Sequence, residues 1–282
     1  WTWAGFAPHN TFSIATMREA MKACHAKGVE NVVMTMWGDN GAECSKFAVL
    51  PALFMVAQMA RGIDDEETIH ANFEKEFGIP FEDFRALDLA GTQNDSAEAI
   101  YNPEKYLLYC DPFMGQFDNR VKPADAAGYA DCAARLAVYA DHAEYGYLFR
   151  SLRALCAFLS VKADLGIRTR AAYLSGDKKA AKALCTDYDA ALERLDAFYT
   201  AYEQQWMHEN KPQGFDVVDL RIGGQRQRLL HCRDRLLAYA EGRLDRIEEL
   251  EEPVLDCCCE EKADGQATRA IFWHEIASAN VI

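Results

Sequence analysis

Apolar residues recur every three or four positions along most of the chain, which is the spacing of one face of an α-helix. Near the start this spacing predicts a helix over residues 13–27 that Gly28 ends, and its apolar face consists of Ile14, Met17, Ala20, Met21 and Cys24. Residues 47–61 show the same spacing and predict a second helix. The first part of the chain therefore contains at least two helices.

A different pattern separates these two helices. Residues 31–37 read NVVMTMW, a short apolar and β-branched run between Gly28 and Gly38. Such a run predicts a strand that is buried on both faces. The opening WTWAGF is also strand-like, and we expect that part of the protein precedes it. The order of strand end, helix, strand, loop and helix is typical of a parallel βα-repeat.

Beyond Gly62 the pattern is helical almost throughout. Asp64 or Asp65 is expected to cap a helix that runs to Gly78, and residues 124–166 predict one or two long helices. The strongest periodicity runs from Leu184 to Trp206 and predicts a long helix with a narrow apolar seam. Residues 210–224 predict an extended interruption before another helix over 229–249. We therefore predict a mainly α-helical second region.

Composition excludes several partners. Half of the residues are hydrophobic, so the chain can bury a substantial core. The net charge of −14 and the lack of a separate basic cluster argue against binding to nucleic acid or anionic lipid. The longest apolar stretch, 47–60, is interrupted by Pro51 and Gln58 and is shorter than the roughly 20 residues of a membrane span. We expect neither a nucleic-acid nor a membrane partner.

The ten cysteines are scattered through apolar helical stretches, which favours small core residues over disulfides. A reducing cytoplasm is the compartment that fits this usage best. The run Cys257, Cys258 and Cys259 lacks the paired spacing and the histidines of a zinc site, so we predict no metal and no other cofactor.

Candidate chemistry concentrates in the segment WGDNGAE, residues 37–43, directly after the predicted strand. Loops at the carboxyl ends of parallel strands hold ligands in βα architectures. The face of a pyranose can stack on Trp37 while Asp39 and Glu43 accept hydrogen bonds from sugar hydroxyls. The alternative is structural, with Trp37 as a core residue and Asp39 as the cap of the next helix.

A family resemblance rests on WTWAGFAPHN, a helix, and then VVMTMWGDNGAECSKFAVLP. This arrangement resembles the last barrel strands of family 20 glycoside hydrolases, the exo-acting β-N-acetylhexosaminidases. It is most similar to the bacterial branch that carries a helical C-terminal domain, and the similarity extends through ENKPQGFDVVDLRIGG. The resemblance implies hydrolysis of terminal β-linked N-acetylglucosamine or N-acetylgalactosamine from oligosaccharides.

The resemblance also implies roles for particular residues. The family's last strand ends in a Trp-Gly-Glu type motif that lines the sugar pocket, and it maps onto Trp37, Gly38 and Asp39. Asp replaces the commoner Glu, so Glu43 is expected to complete the contact with the hydroxyls. Trp3, or else Trp1, resembles a second aromatic wall. The family's catalytic Asp-Glu pair lies on an earlier strand, so we expect no catalytic residue here and no activity of the chain by itself.

We therefore predict a mainly α fold, with a βαβα remnant of a (β/α)8 TIM barrel over residues 1–62 and a helical C-terminal domain over residues 63–282. The predicted substrate-binding residues are Trp3, Trp37, Asp39 and Glu43. The rival interpretation is a non-catalytic helical module for interaction or dimerisation. Because unpaired strand edges seek partners, we also expect self-association through residues 1–40, for example as a homodimer.

Overall fold

The computed structural model describes residues 5–38, 41–93, 102–254, 256–258 and 267–269, with side chains described up to residue 254. The chain forms two compact units, Trp1–Thr92 and Gln93–Ile282. The predicted domain boundary between residues 62 and 63 stays a prediction. Helices dominate both units, as the sequence predicts for most of the chain.

The first unit is built from short helices. In chain order these are α1 (Asn10–Ala26), a 3-10 turn (Phe47–Val49), α2 (Leu50–Ala60), α3 (Glu66–Phe77), α4 (Phe81–Phe84), a 3-10 turn (Arg85–Asp88) and α5 (Leu89–Thr92). α1 packs on α2, and α2 packs on α3. Asp65 caps α3 by accepting a hydrogen bond from the Thr68 backbone, and Gly78 ends that helix in the left-handed conformation, so both predicted boundaries are confirmed.

The core of the first unit is largely aromatic. Phe73 of α3 is fully buried and packs edge-on against Phe81 and Phe84, with ring centroids 5.1 and 5.5 Å apart. Met55 of α2 and Ile69 of α3 complete this core without any solvent exposure. The four-residue spacing of Ile69, Phe73 and Phe77 places these side chains along one face of α3, which explains why that short helix forms.

The predicted strand over residues 31–37 does not form. Residues 29–38 have no regular secondary structure and are mostly exposed, and Val33 is 86% accessible. A parallel strand is stable only when a neighbouring strand satisfies its backbone hydrogen bonds, and the described residues of this unit contain no strand. The prediction of a buried strand is therefore wrong for this structure.

The second unit consists of longer helices. These are α6 (Pro103–Tyr109), a 3-10 turn (Asp118–Arg120), α7 (Asp125–Leu136), a 3-10 turn (Ala137–Tyr139), α8 (Gly146–Lys162), α9 (Leu165–Leu174), α10 (Lys178–Glu209), α11 (Phe215–Ala240) and a 3-10 turn (Glu248–Leu250). Two three-residue strands, β1 (Asp256–Cys258) and β2 (Ala267–Arg269), pair in parallel with Asp256 opposite Ala267.

The long helix α10 organises this unit by packing on both α8 and α11. Its seam is buried at Tyr188, Leu195 and Tyr202, so the periodicity that predicted the helix is also the periodicity of its contacts. Exposed charged side chains occupy the other face of α10. The prediction of a long helix from Leu184 to Trp206 is confirmed, and the helix is longer than predicted at both ends.

The predicted extended interruption over residues 210–224 is mostly wrong, because α11 already begins at Phe215. Gly223 lies inside this helix, where an added Cβ would meet no atom within 4 Å, so the glycine is tolerated and is not a break. Val218 and Ile222 are buried, and burial outweighs the weak helix propensity of β-branched residues.

A buried lysine joins α8 to α6. The Lys162 ammonium donates hydrogen bonds to the carbonyls of Leu107, at 2.7 Å, and Cys110. The last carbonyl groups of a helix lack partners within that helix, so Lys162 satisfies the end of α6. Complete burial lowers the pKa of the Lys162 ammonium, while nearby acidic groups oppose that shift.

Candidate functional site

The candidate site is the loop of residues 35–47, which follows the exposed segment 29–38 in the first unit. Trp37 is 64% exposed, and its indole Nε1 donates a hydrogen bond of 3.1 Å to Thr35 Oγ1. The Trp37 carbonyl accepts a hydrogen bond of 3.0 Å from Lys46 Nζ. The Trp37 indole is thus exposed at the surface, and the Trp37 backbone is hydrogen-bonded to Lys46 at the far end of the loop.

Gly38 permits a close approach within this loop. A Cβ added to Gly38 would lie 2.7 Å from Ala42 Cβ and 3.1 Å from Lys46 Nζ, which is too near for any side chain to fit without movement. Ala42 itself has a φ of 52°, in the left-handed region that a non-glycine residue rarely adopts. Gly38 therefore lies close to Ala42 and to the Lys46 side chain.

The predicted sugar-binding residues have different outcomes. Trp37 is at the surface, so the alternative interpretation of this residue as a core residue is wrong for this structure. Glu43 is only 4% exposed, and it lies beside the buried residues Cys44 and Ser45. Trp3 and Asp39 lie outside the described residues, as does the alternative Trp1. The roles assigned to all of these residues stay predictions.

A buried carboxylate supports the base of the loop. Asp88 Oδ1 accepts hydrogen bonds from the backbone N and the Nδ2 of Asn10, at 2.9 and 3.0 Å. Asp88 Oδ2 accepts from the backbone N and the hydroxyl of Thr11, at 2.7 and 2.9 Å. Asn10 Nδ2 also donates to the carbonyl of Ala48, at 2.9 Å. The start of α1, the turn after the loop and the end of the second 3-10 turn are therefore joined at one point.

The electrostatics of Asp88 reflect two opposing effects. Burial raises the pKa of this carboxyl group, because a charge is disfavoured away from water. The hydrogen bonds from Thr11 and Asn10 act in the opposite direction and favour the ionised form. Unpaired N–H groups at the first turn of α1 also favour an acceptor at this position. Asp88 is thus a helix-capping group supplied from a distant part of the sequence.

Sequence reasoning missed this support. Asn10 and Asp88 are 78 positions apart in the sequence, and neither was predicted to belong to the candidate site. The local signal was an Asn and a Thr at the start of an apolar periodic stretch, which is typical of a helix N-terminus. His9 caps α1, because its Nδ1 accepts a hydrogen bond of 3.3 Å from the Phe12 N–H.

Arg226 and Arg228 of α11 make structural ion pairs within the second unit. Arg226 pairs with Asp196 of α10 at 2.7 Å. Arg228 pairs with Asp111 and Glu249 and so connects α11 with two segments outside it. These arginines stabilise the second unit.

The second unit is helical, and a comparison with family models identifies its family. Residues 80–269 match the model described as Glycoside Hydrolase 20C C-terminal domain. The chain therefore belongs to glycoside hydrolase family 20 through this C-terminal domain. The resemblance inferred from the sequence is confirmed.

A comparison with curated proteins found no match. The matched range covers most of the second unit but does not include the loop of residues 35–47. Within the described residues, none of the helices combines the length and the apolar character that crossing a membrane requires.

Proposed function

We propose that this chain is the C-terminal part of a β-N-acetylhexosaminidase, a hydrolase that removes terminal β-linked N-acetylglucosamine or N-acetylgalactosamine from oligosaccharides. The observation that carries the proposal is the surface-held indole of Trp37, on a tight glycine-containing loop, in a chain of glycoside hydrolase family 20. Indole faces are well suited to stack on the apolar face of a pyranose.

Residues 1–62 are proposed to be the last part of a (β/α)8 barrel. The segment 29–38 supports this, because its exposed side chains include Val29, Val32, Val33 and Met36. Apolar side chains on both faces of an extended segment are typical of a barrel strand with a neighbour on each side and helices behind it. Strands placed beside this segment would cover those side chains and form backbone hydrogen bonds with it.

The proposed chemistry is retaining and substrate-assisted. In that mechanism a carboxylic acid protonates the leaving oxygen, and the acetamido group of the substrate attacks the anomeric carbon with an aspartate holding it in place. We propose that this acidic pair lies on a strand before residue 1. Trp37 would stack on the terminal sugar, while Asp39 and Glu43 would accept hydrogen bonds from its hydroxyls and Trp3 would form another wall.

The rival function, a helical module for interaction or dimerisation, depends on an exposed apolar seam between Leu184 and Trp206. That seam is instead buried within the second unit, where Leu184, Tyr188, Leu192 and Leu195 are almost inaccessible to solvent. No exposed seam is therefore left to support this function, and the hydrolase is the better proposal.

The test compares two chromogenic substrates on the longer protein that includes the proposed upstream strands. A 4-nitrophenyl N-acetyl-β-glucosaminide should be hydrolysed more than about a hundredfold faster than the matching β-glucoside, because only the first carries the acetamido nucleophile. Similar rates for both substrates would contradict the proposed mechanism. Activity of residues 1–282 alone would show that the acidic pair is not upstream.

A further inference from the structure

The Lys46 side chain contacts the backbone of the residue that is proposed to bind the sugar. Its Nζ donates a hydrogen bond of 3.0 Å to the Trp37 carbonyl, nine positions earlier in the sequence. The same Nζ lies 3.1 Å from the point that a Cβ on Gly38 would occupy. The ammonium group is therefore placed against the two consecutive residues at which the segment 29–38 ends.

The exposed indole of Trp37 needs such a restraint. Because Trp37 is 64% exposed, side-chain packing contributes little to the position of its indole. The hydrogen bond to Thr35 Oγ1 restrains the Nε1 end of the ring, and the hydrogen bond from Lys46 restrains the backbone from which the ring projects. A binding group that is held in place before the ligand arrives loses less conformational freedom on binding, so it binds more tightly.

The backbone on either side of Lys46 is itself well anchored. Ser45 is 5% exposed, its Oγ accepts a hydrogen bond of 3.1 Å from the Phe47 N–H, and its carbonyl accepts one of 3.3 Å from the Ala48 N–H. The Ala48 carbonyl accepts from Asn10 Nδ2 at 2.9 Å. Lys46 thus reaches the Trp37 carbonyl from a fixed base.

The local helix does not account for a lysine at this position. Lys46 immediately precedes the 3-10 turn Phe47–Val49, and α2 follows at Leu50. The N-terminal end of a helix carries a partial positive charge, so a cation is disfavoured there, and an ammonium group has no acceptor with which to cap N–H groups. An acidic or small polar residue would stabilise this helix start better. The contact with the Trp37 carbonyl gives the lysine a purpose that the helix does not.

We propose that Lys46 is a positioning residue, which holds the Trp37 indole where it stacks on the terminal sugar. This inference rests on the proposed function, because Lys46 acts through Trp37 and is assigned no contact with the substrate. A guanidinium group can replace the ammonium as a cationic donor, whereas a thioether of similar length cannot donate a hydrogen bond.

The kinetic experiment uses the longer protein and the chromogenic N-acetyl-β-glucosaminide. Lys46→Met should lower kcat/KM about fivefold to tenfold, because the carbonyl of Trp37 loses a charged donor, and Lys46→Arg should lower it less. The double variant Lys46→Met, Trp37→Ala should lose no more than Trp37→Ala alone, since no indole is left to position. A lysine with a merely structural role would instead add its own loss to that of Trp37→Ala.

A second readout follows the indole without any substrate. The longer protein is labelled with 5-fluorotryptophan, and the fluorine resonance of Trp37 is the one that disappears in Trp37→Phe. Lys46→Met should shift this resonance and leave that of Trp206 in place. Lys22→Met is the matched control, because Lys22 is an exposed lysine that pairs with Glu19 on α1, and it should change neither the resonance nor kcat/KM.

The two levels of the account fail in different ways. If Trp37→Ala leaves kcat/KM unchanged, the proposed role of the indole is wrong and the inference about Lys46 is overturned with it. If Trp37→Ala lowers kcat/KM but Lys46→Met does not, only the inference is overturned. The same holds if the fluorine resonance of Trp37 is unchanged in Lys46→Met, or if the losses of the two substitutions multiply in the double variant.

Discussion

At the scale of single residues, Asp88 fixes the start of α1 next to the candidate loop. Its two oxygens accept four hydrogen bonds from Asn10 and Thr11, so one carboxylate caps α1 from 77 and 78 positions away in sequence. The capping residues that sequence rules identify are adjacent to their helix. A cap supplied from so far away has no local signature, which is why the sequence did not predict it.

Asp88→Ala should destabilise the first unit by about 1–3 kcal/mol, because the buried donors of Asn10 and the part-buried donors of Thr11 lose their acceptor. The measurement is urea unfolding followed by circular dichroism. Asp64→Ala is the control, since Asp64 is exposed and the predicted cap role belongs to Asp65 instead. Equal effects of both substitutions, or no effect of Asp88→Ala, would show that the buried hydrogen bonds contribute little.

The sequence pattern around Trp37 predicts only part of the candidate site. An aromatic residue followed by Gly and Asp, after an apolar run, predicts a ligand loop. Trp37 is exposed at the surface, and its role in binding stays a prediction. The burial of Glu43 could not be predicted, because it depends on how residues 43–49 pack against their surroundings. Spacing alone gives no information on such packing.

At the scale of elements, periodicity predicted the helices well where the apolar face was regular. α10 has an uninterrupted seam, and its prediction is confirmed. The first half of α11 was missed because Gly214, Gly223 and Gly224 are typical of loops, whereas packing of Val218 and Ile222 keeps this segment helical. The prediction of a strand over residues 31–37 is wrong for the opposite reason. Its composition favours a strand, but the described residues of the first unit contain no strand with which it could pair.

Two glycines inside helices provide a test with opposite expected signs. Gly166 lies in α9, where an added Cβ would be 2.8 Å from the carbonyl oxygen of Pro112, so Gly166→Ala should destabilise the protein by about 1–3 kcal/mol. Gly223 lies in α11 with no atom within 4 Å of an added Cβ, so Gly223→Ala should stabilise it by about 0.5–1 kcal/mol.

Thermal and urea unfolding of both glycine variants measure this difference, and each variant serves as the control of the other. If Gly166→Ala were stabilising like Gly223→Ala, helix propensity alone would decide the outcome. The close contact between Gly166 and Pro112 would then have no energetic consequence.

At the scale of the whole molecule, the exposed segment 29–38 has a consequence for association. Its exposed apolar side chains and strand-like composition favour pairing with another chain. We predict that residues 1–282 self-associate through this segment and that Val33→Glu reduces the association. Multi-angle light scattering should give a mass above 31.7 kDa for the unsubstituted chain and a lower mass for the variant.

Val138→Glu is the control for that experiment, since Val138 is also exposed, at 72%, but lies in the second unit. It should leave the association unchanged. A strictly monomeric chain at high concentration would contradict the prediction, and so would an equal effect of the two glutamate substitutions.

The family could be recognised from the sequence because its motifs are short and local, and the helical domain match over residues 80–269 agrees with it. The substrate and the mechanism follow less directly. They depend on a sugar pocket formed by residues from several strands. A motif on one strand can indicate only the residues that this strand contributes to the pocket.

The most direct test of the sugar-binding role is the kcat/KM of the longer protein on a chromogenic N-acetyl-β-glucosaminide. Trp37→Ala should lower kcat/KM by at least about tenfold, and Trp37→Phe, which keeps a ring for stacking, should lower it less. Trp206→Phe, in the second unit, should leave it unchanged. If Trp37→Ala had the same kcat/KM as the unsubstituted enzyme, the indole would not bind the sugar and the assignment of this loop would be wrong.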